Sequence, residues 1–531
     1  MKITAKFFFK TLFPLLLTVA MLAGMLVGCS GKNYGSGAAD NADNIRFSPS
    51  YAAGAELHSK ANDEEDGNKA PSEAFAENPF IDTARQNVSS FSADVDTASY
   101  ALFRKTVSGW VRQKANKQTI LSALNKNATT FRTEEFLNYF RYEANAPKEG
   151  ELFGTTVGIL PCPWNEKSRL LRLTLQAPAT VPTNGNNLVF LIDVSGSMSS
   201  EDKLPLLKKA FAYLASQLTE RDTVSIVTYS GEEKVILQGC AGNETQKILD
   251  AVDGLTAHGV TNGEAGLKMA YKLAADYRIE GGNNRIIMAS DGDLNVGISS
   301  SDELKTFVED KREEGTFLSI LGFGSGNYRD STMETLAHYG NGIYYYIDGE
   351  SEAQKVFGTD LISTLYTVAK DVKLQLTFDP TYIASYRQIG YENRQLKNED
   401  FTDDTKDAGE VGAGHQVTVF YELVLTENGQ KPELAADTTL MTLAVRYKEP
   451  DGDVSKENSY SIKASDRVKP DSDTEFMFCV LELTMLLHNS KYLPQDGSVT
   501  YATVLEKLRG LNLKSHADRA EFRALVAAFA E

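Results

Sequence analysis

Five side chains in this chain have the types and spacing to hold a hard cation. Asp193, Ser195 and Ser197 lie in the run Asp193-Val-Ser195-Gly-Ser197. Thr261 lies in His258-Gly-Val-Thr261-Asn-Gly-Glu, and Asp291 opens Asp291-Gly-Asp293. Three hydroxyls and two carboxylates are oxygen donors of the kind that bind magnesium, which takes six oxygens and keeps several waters. Two negative charges balance one divalent ion, so such an ion keeps its appetite for one more oxygen from outside. A cage richer in carboxylates would hold the ion better and a partner worse. Manganese or calcium would suit the same donors, so the set does not select among the three.

Positioning five donors from three distant segments requires strands that end side by side. Leu188-Val-Phe-Leu-Ile192 is an unbroken apolar run, as for a strand buried on both faces, and it leads directly into Asp193. Residues 203–219 follow as a helix, with Leu204, Leu207, Phe211, Leu214 and Leu218 on one face. Strands are predicted at 223–229 and 234–238, joined too closely for a parallel crossover and therefore paired as an edge hairpin. Helices at 244–254 and 264–277 precede a strand at 285–290, which leads into Asp291. A helix at 301–314, a strand at 316–322, a helix at 330–338, a strand at 342–347 and a helix at 351–369 complete the series. Alternation of this kind gives an α/β fold, a doubly wound and mostly parallel sheet. Ligands bind such sheets beyond the carboxyl ends of the strands, at the point where strand order reverses.

The D-x-S-x-S run after an apolar strand, the later Thr261 and the still later Asp291 resemble the metal-ion-dependent adhesion site of von Willebrand factor type A (VWA) domains. The resemblance implies a Rossmann-like VWA domain over 186–370. It implies that Ser195 and Ser197 contact the ion directly and that the two aspartates act partly through water. Asp and Ser after a strand also cap helices; the ordered three-part pattern is what favours ligation.

Four further segments resemble one bacterial group of VWA lipoproteins with a dedicated amino-terminal region and a carboxy-terminal extension. They are Asp94-Val-Asp96-Thr97-Ala-Ser-Tyr100, Glu134-Glu-Phe-Leu-Asn-Tyr-Phe140, Ile389-Gly-Tyr-Glu-Asn-Arg394 and Asp407-Ala-Gly-Glu-Val-Gly-Ala-Gly-His415. The expected order is an amino-terminal VWA-associated region at 79–185, the VWA domain, and an extension at 371–531. The extension is β-rich to about 465 and helical after that.

Rival motifs are weaker. Asp94-Val-Asp96-Thr97 fits the nucleophile loop of haloacid-dehalogenase-type phosphatases, but the mostly polar Ser89–Ala93 stretch is a poor buried strand to carry it. Asp94 and Thr97 read better as caps of a helix starting near Ala98. Gly322-Phe-Gly324-Ser-Gly326 lacks a following P-loop lysine and reads as a turn. His258 and His415, each beside glycine, read as structural.

The first ten residues carry Lys2, Lys6 and Lys10, and 11–28 are apolar. This is a secretory signal at 1–28. Leu26-Val-Gly-Cys29 resembles a bacterial lipobox, which implies a diacylglycerol on Cys29 and anchorage in the cell envelope. That anchorage is on the outer side of the cytoplasmic membrane or on the outer membrane. Residues 29–78, poor in large apolar groups, read as a disordered tether with a reach on the order of 40 Å.

The formal net charge of −18 over 531 residues repels nucleic-acid phosphates and anionic lipid alike. Four separated cysteines give neither a zinc site nor a disulfide framework. The function expected is a metal-dependent protein-binding module, adhesive or scaffolding, that takes an Asp or Glu side chain from a partner. The opposing expectation is a metal-dependent hydrolase on the same ion, for which Asp293 or Glu264 would have to be the base.

Overall fold

The computed structural model describes residues 76–530, except 180–183, 260–262, 293–300, 325–329, 451 and 453. The signal, Cys29, nearly all of the expected tether, Thr261 and Asp293 lie outside the described residues.

The central element is a six-stranded sheet. Across it the strands run Tyr344–Ile347, Phe317–Phe323, Asn283–Ser290, Asn186–Asp193, Thr223–Tyr229 and Glu233–Ala241. The first five are mutually parallel, and the last is an antiparallel edge strand formed by the expected hairpin. Side-chain alternation splits the Asn186–Asp193 strand between two apolar layers. Leu188, Phe190 and Ile192 pack with Leu207, Phe211 and Leu214 of the Leu204–Ala215 helix and with Ile248 and Val252. Val189 and Leu191 pack against Leu267, Ala270 and Leu273 of the Gly263–Asp276 helix, and beyond it Leu304, Val308 and Met333. Helices on both faces of a parallel sheet make the α/β, doubly wound fold.

Chain order reverses at Asn186–Asp193. The next two strands are laid down on one side of it and the following three on the other. The reversal point therefore lies between Asn186–Asp193 and Asn283–Ser290, whose carboxyl ends present Asp193 and Asp291.

Segments flanking this sheet interleave. One antiparallel sheet has the order Ile81–Asp82, Ile383–Ile389, Gln416–Leu425, Ser168–Gln176 and Gly154–Pro161. A second has Gln395–Leu396, Val88–Ser92, Thr367–Phe378, Thr439–Lys448 and Lys456–Lys463, with Gly409–Gly412 paired to the side of Thr367–Phe378. The two are joined through aromatic rings: Phe378 stacks on Tyr386 at 4.0 Å, and Phe91 meets Tyr421 at 6.3 Å. Residues 79–185 and 371–465 thus contribute strands to common sheets.

The helices behave likewise. Ala98–Arg112, Lys117–Lys126 and Thr133–Tyr139 share one core with Ser472–Leu487, Tyr501–Gly510 and Ala517–Ala530. Tyr100, Phe103, Phe136, Phe140, Phe476, Phe522 and Phe529 form its aromatic centre.

Three local expectations are corrected. The helix expected over 351–369 breaks into Glu350–Gln354, a π turn at Lys355–Thr359 and Leu361–Leu365, and strand begins at Thr367. Val368 and Val372 are β-branched and suit the pleated ladder there. The polar Ser89–Ala93 stretch lies largely in a buried strand, Val88–Ser92. Its serines are satisfied by Tyr421 OH on Ser89 Oγ at 2.9 Å and by the Gly409 amide donating to Ser92 Oγ at 2.7 Å. Finally, neither Asp94 nor Thr97 caps the Ala98 helix through its side chain. The Ser99 amide donates instead to Glu135 Oε2 at 2.7 Å.

Candidate functional site

Asp193 ends its strand fully buried, and Ser195 is buried beside it. The Ser195 amide donates to Asp193 Oδ1 at 2.8 Å, which fixes the turn out of the strand. That turn aims the Ser195 and Ser197 hydroxyls at each other, with their Oγ atoms 2.9 Å apart. Ser197 is exposed, so the pair opens to solvent. Asp291, buried at the end of the neighbouring parallel strand, supplies the second carboxylate. Burial pushes the Asp193 carboxyl up to about 6; the Ser195 bonds oppose this and the nearby Asp291 charge adds to it.

The loop toward Thr261 is tied to the same turn. The His258 amide donates to Val194 O at 2.7 Å, and the Gly196 amide donates to Gly259 O at 3.1 Å. Gly259 has φ +79°, and a Cβ there would sit 2.5 Å from Ser230 Oγ, so glycine is required. The chain thus reaches the last residue before 260–262 already docked on the D-x-S-x-S turn. Four of the five expected donors are described, and all four lie at the reversal point.

The two serine hydroxyls, hydrogen-bonded to each other, have a separation compatible with a magnesium-sized ion. Ligand oxygens at 2.0–2.1 Å in an octahedron are separated along an edge by about 2.9 Å, and the two serine hydroxyls have that separation. One neighbour was not read from the sequence. Lys203 Nζ, from the turn before the Leu204–Ala215 helix, donates to Asp291 Oδ2 at 2.8 Å and to Ser197 O at 2.9 Å.

The other described candidates are held by groups of their own. Glu264 is engaged by Lys268 at 2.6 Å one turn along its helix. Asp94 and Asp96 share the Arg394 guanidinium, each at 3.1 Å, and so balance a cation of the protein itself. Gly324 has φ +83° and its carbonyl accepts from Tyr346 OH, as in a turn. His415 is buried, while His258 is exposed and bonds through its backbone. Cys162, Cys240 and Cys479 are buried and free.

Comparison with known proteins agrees with this architecture. The von Willebrand factor type A domain family matches residues 187–359, a von Willebrand factor family matches 67–172, and the family described as "Uncharacterized protein YfbK, C-terminal" matches 363–531. The Escherichia coli (strain K12) protein described as "Uncharacterized protein YfbK" is 36% identical over 475 residues, covering 85% of this chain and 80% of that one. Human inter-alpha-trypsin inhibitor heavy chain H3 is 29% identical over 188 residues, 34% of this chain and 21% of its own length. A solved von Willebrand factor type A structure from Catenulispora acidiphila aligns over 70% of this chain and 81% of its own, with 15% identity and a TM-score of 0.39. With its doubly wound central domain and its matching flanks on both sides, the chain belongs to the family of bacterial VWA proteins that carry the YfbK carboxy-terminal region.

Proposed function

We propose that this protein is an envelope-anchored module that binds a protein partner through a divalent ion held by Asp193, Ser195, Ser197, Thr261 and Asp291. The observation that carries the reading is the paired serine hydroxyls, 2.9 Å apart, beside two buried carboxylates at the strand-order reversal. The ion, magnesium or alternatively manganese or calcium, would supply an electrophilic position for one carboxylate oxygen of a partner's Asp or Glu. Ser197 opens the site toward solvent, and the two aspartates would offset the charge of the ion, with Asp291 shared by Lys203. The acidic body makes nucleic acid an unsuitable partner. Lipidation at Cys29 would provide the membrane attachment, and Cys29→Ser should then leave an unprocessed precursor.

The test has two parts. Magnesium at a hundredfold excess over its dissociation constant should stabilise the wild type by about 2.7 kcal/mol, and Asp193→Ala should remove that gain. Capture of an envelope protein by the purified chain should require magnesium and should fail with Thr261→Ala. Undiminished capture in chelator, by a chain that remains folded, would show that docking uses another surface.

A further inference from the structure

A second group of carboxylates lies at the other end of the central sheet, near where Asn283–Ser290 and Phe317–Phe323 begin. Oxygens of Asp371, Asp407 and Glu410 all lie within 4.8 Å of one another. Asp371 and Asp407 are each paired: Lys448 Nζ lies 2.6 Å from Asp371 Oδ2, and Arg312 Nη1 lies 2.8 Å from Asp407 Oδ2. Glu410 differs. It is 8% exposed, and neither Oε1 nor Oε2 has a hydrogen-bond partner. The buried Arg285 acts on Glu410 electrostatically, but its guanidinium is given to Ser319 Oγ at 2.7 Å and Thr367 Oγ1 at 3.1 Å. Burial first, and then the Asp371 and Asp407 charges, push the Glu410 carboxyl well above the usual carboxylate range, so this group has to be neutralised, by a proton or by a cation.

The backbone is shaped around this point. Asp371 has φ +54°, in a stretch where the Thr367–Phe378 strand shifts register against both neighbours, and its Oδ1 accepts from the Ala408 amide at 3.1 Å. Asp407 and Asp371 also line a cavity of about 960 Å³ with Arg312, Asn341 and Lys448, which brings solvent to those two carboxylates.

We propose that Asp371, Asp407 and Glu410 form a calcium-type cation site at the junction between the VWA domain and the carboxy-terminal sheets. All three donors are hard oxygens. No two ligands at about 2.4 Å from one calcium ion can lie more than about 4.8 Å apart, and one oxygen from each of the three carboxylates meets that condition. Arg312 and Lys448 offset the aspartates, so the added charge falls chiefly to Glu410. The ion would join the strand that leaves the VWA domain to the strand carrying Glu410, and through Asp407 to Arg312 of the domain itself. This site is independent of the one at Asp193.

Calcium binding to the full chain in detergent, measured by calorimetry, tests it. The Asp193→Ala background removes the first site. That variant should still bind one calcium per chain and melt at a higher temperature in calcium. Adding Glu410→Gln, which keeps shape and loses charge, should weaken this binding at least tenfold and abolish the melting shift. Asp407→Asn in the same background should do likewise, and circular dichroism of each variant reports its fold. The proposal is overturned if Asp193→Ala binds no calcium at millimolar concentration. It is equally overturned if a folded Glu410→Gln or Asp407→Asn variant binds within twofold of its parent, as expected were Glu410 simply protonated.

Discussion

Lys203 Nζ and Asp291 Oδ2 are 2.8 Å apart, with the lysine side chain 15% exposed and the aspartate 4%. The pair puts a fixed positive charge on one of the two carboxylates that a divalent ion would use.

A cation entering the site has to share Asp291 with that ammonium. Lys203→Met should therefore tighten magnesium binding, by about tenfold for an interaction of roughly 1.4 kcal/mol. Calorimetric titration decides the matter. Weaker binding in the variant would mean that Lys203 instead orients Asp291 for the metal.

Arg104 holds the amino-terminal helices to the VWA domain. It reaches Asp348, just past the last sheet strand, at 2.5 Å, Glu352 at 2.6 Å, and Tyr139 OH at 2.6 Å. Arg104→Met leaves two buried carboxylates facing each other and should cost about 3–5 kcal/mol in urea unfolding. The Asp348 carboxyl is already raised, by burial first and by Glu352 among nearby charges, although Arg104 opposes this. Without the guanidinium Asp348 takes up a proton more readily, so the defect should be smaller at pH 5 than at pH 8. A pH-independent loss would point to lost packing instead of charge.

His415 supplies an acid limit to stability. Burial first, and then the Arg141 charge, hold its pKa down to about 3, and its Nδ1 accepts from the Gly412 amide at 3.2 Å. An unfolded histidine titrates near 6.5, so between about pH 6.5 and 3 the unfolded chain binds one more proton than the folded one. The neutral side chain's contribution is complete above 6.5 and is lost as pH falls, at up to about 1.4 kcal/mol per unit. His415→Asn keeps an acceptor for Gly412 and should flatten that part of the profile. Parallel stability curves for the two proteins would refute the assignment.

The central sheet was legible because Leu188–Ile192 and its neighbours are apolar on both faces, which is what a buried parallel strand demands. Asp193, Ser195, Ser197 and Asp291 were legible because they follow such strands directly. Val88–Ser92 was not: a run of serines looks solvated until its partners, Tyr421 and the Gly409 amide, arrive from more than 300 residues away. The 351–369 stretch misled because Phe357, Leu361 and Leu365 continue a helical i, i+4 spacing nearly up to Thr367, with no proline to mark the change. Lys203 and the Asp371–Asp407–Glu410 group depend on contacts between distant segments, and no local pattern announces them.

The shared sheets and the shared helical core impose an order on how the chain is made. Val88–Ser92 pairs with Thr367–Phe378, and Tyr100 and Phe103 pack on Phe522. The amino-terminal third therefore emerges from the ribosome, and crosses any membrane, long before its partners exist. Its aromatic residues must wait uncovered while some 400 residues follow, a long-range topology that folds slowly and is open to aggregation meanwhile. The VWA domain, with mostly local strand neighbours, can condense first and bring the two flanks together. Loss of the last helix would then act as a late veto, leaving a finished VWA domain attached to an uncovered core that quality-control proteases can recognise.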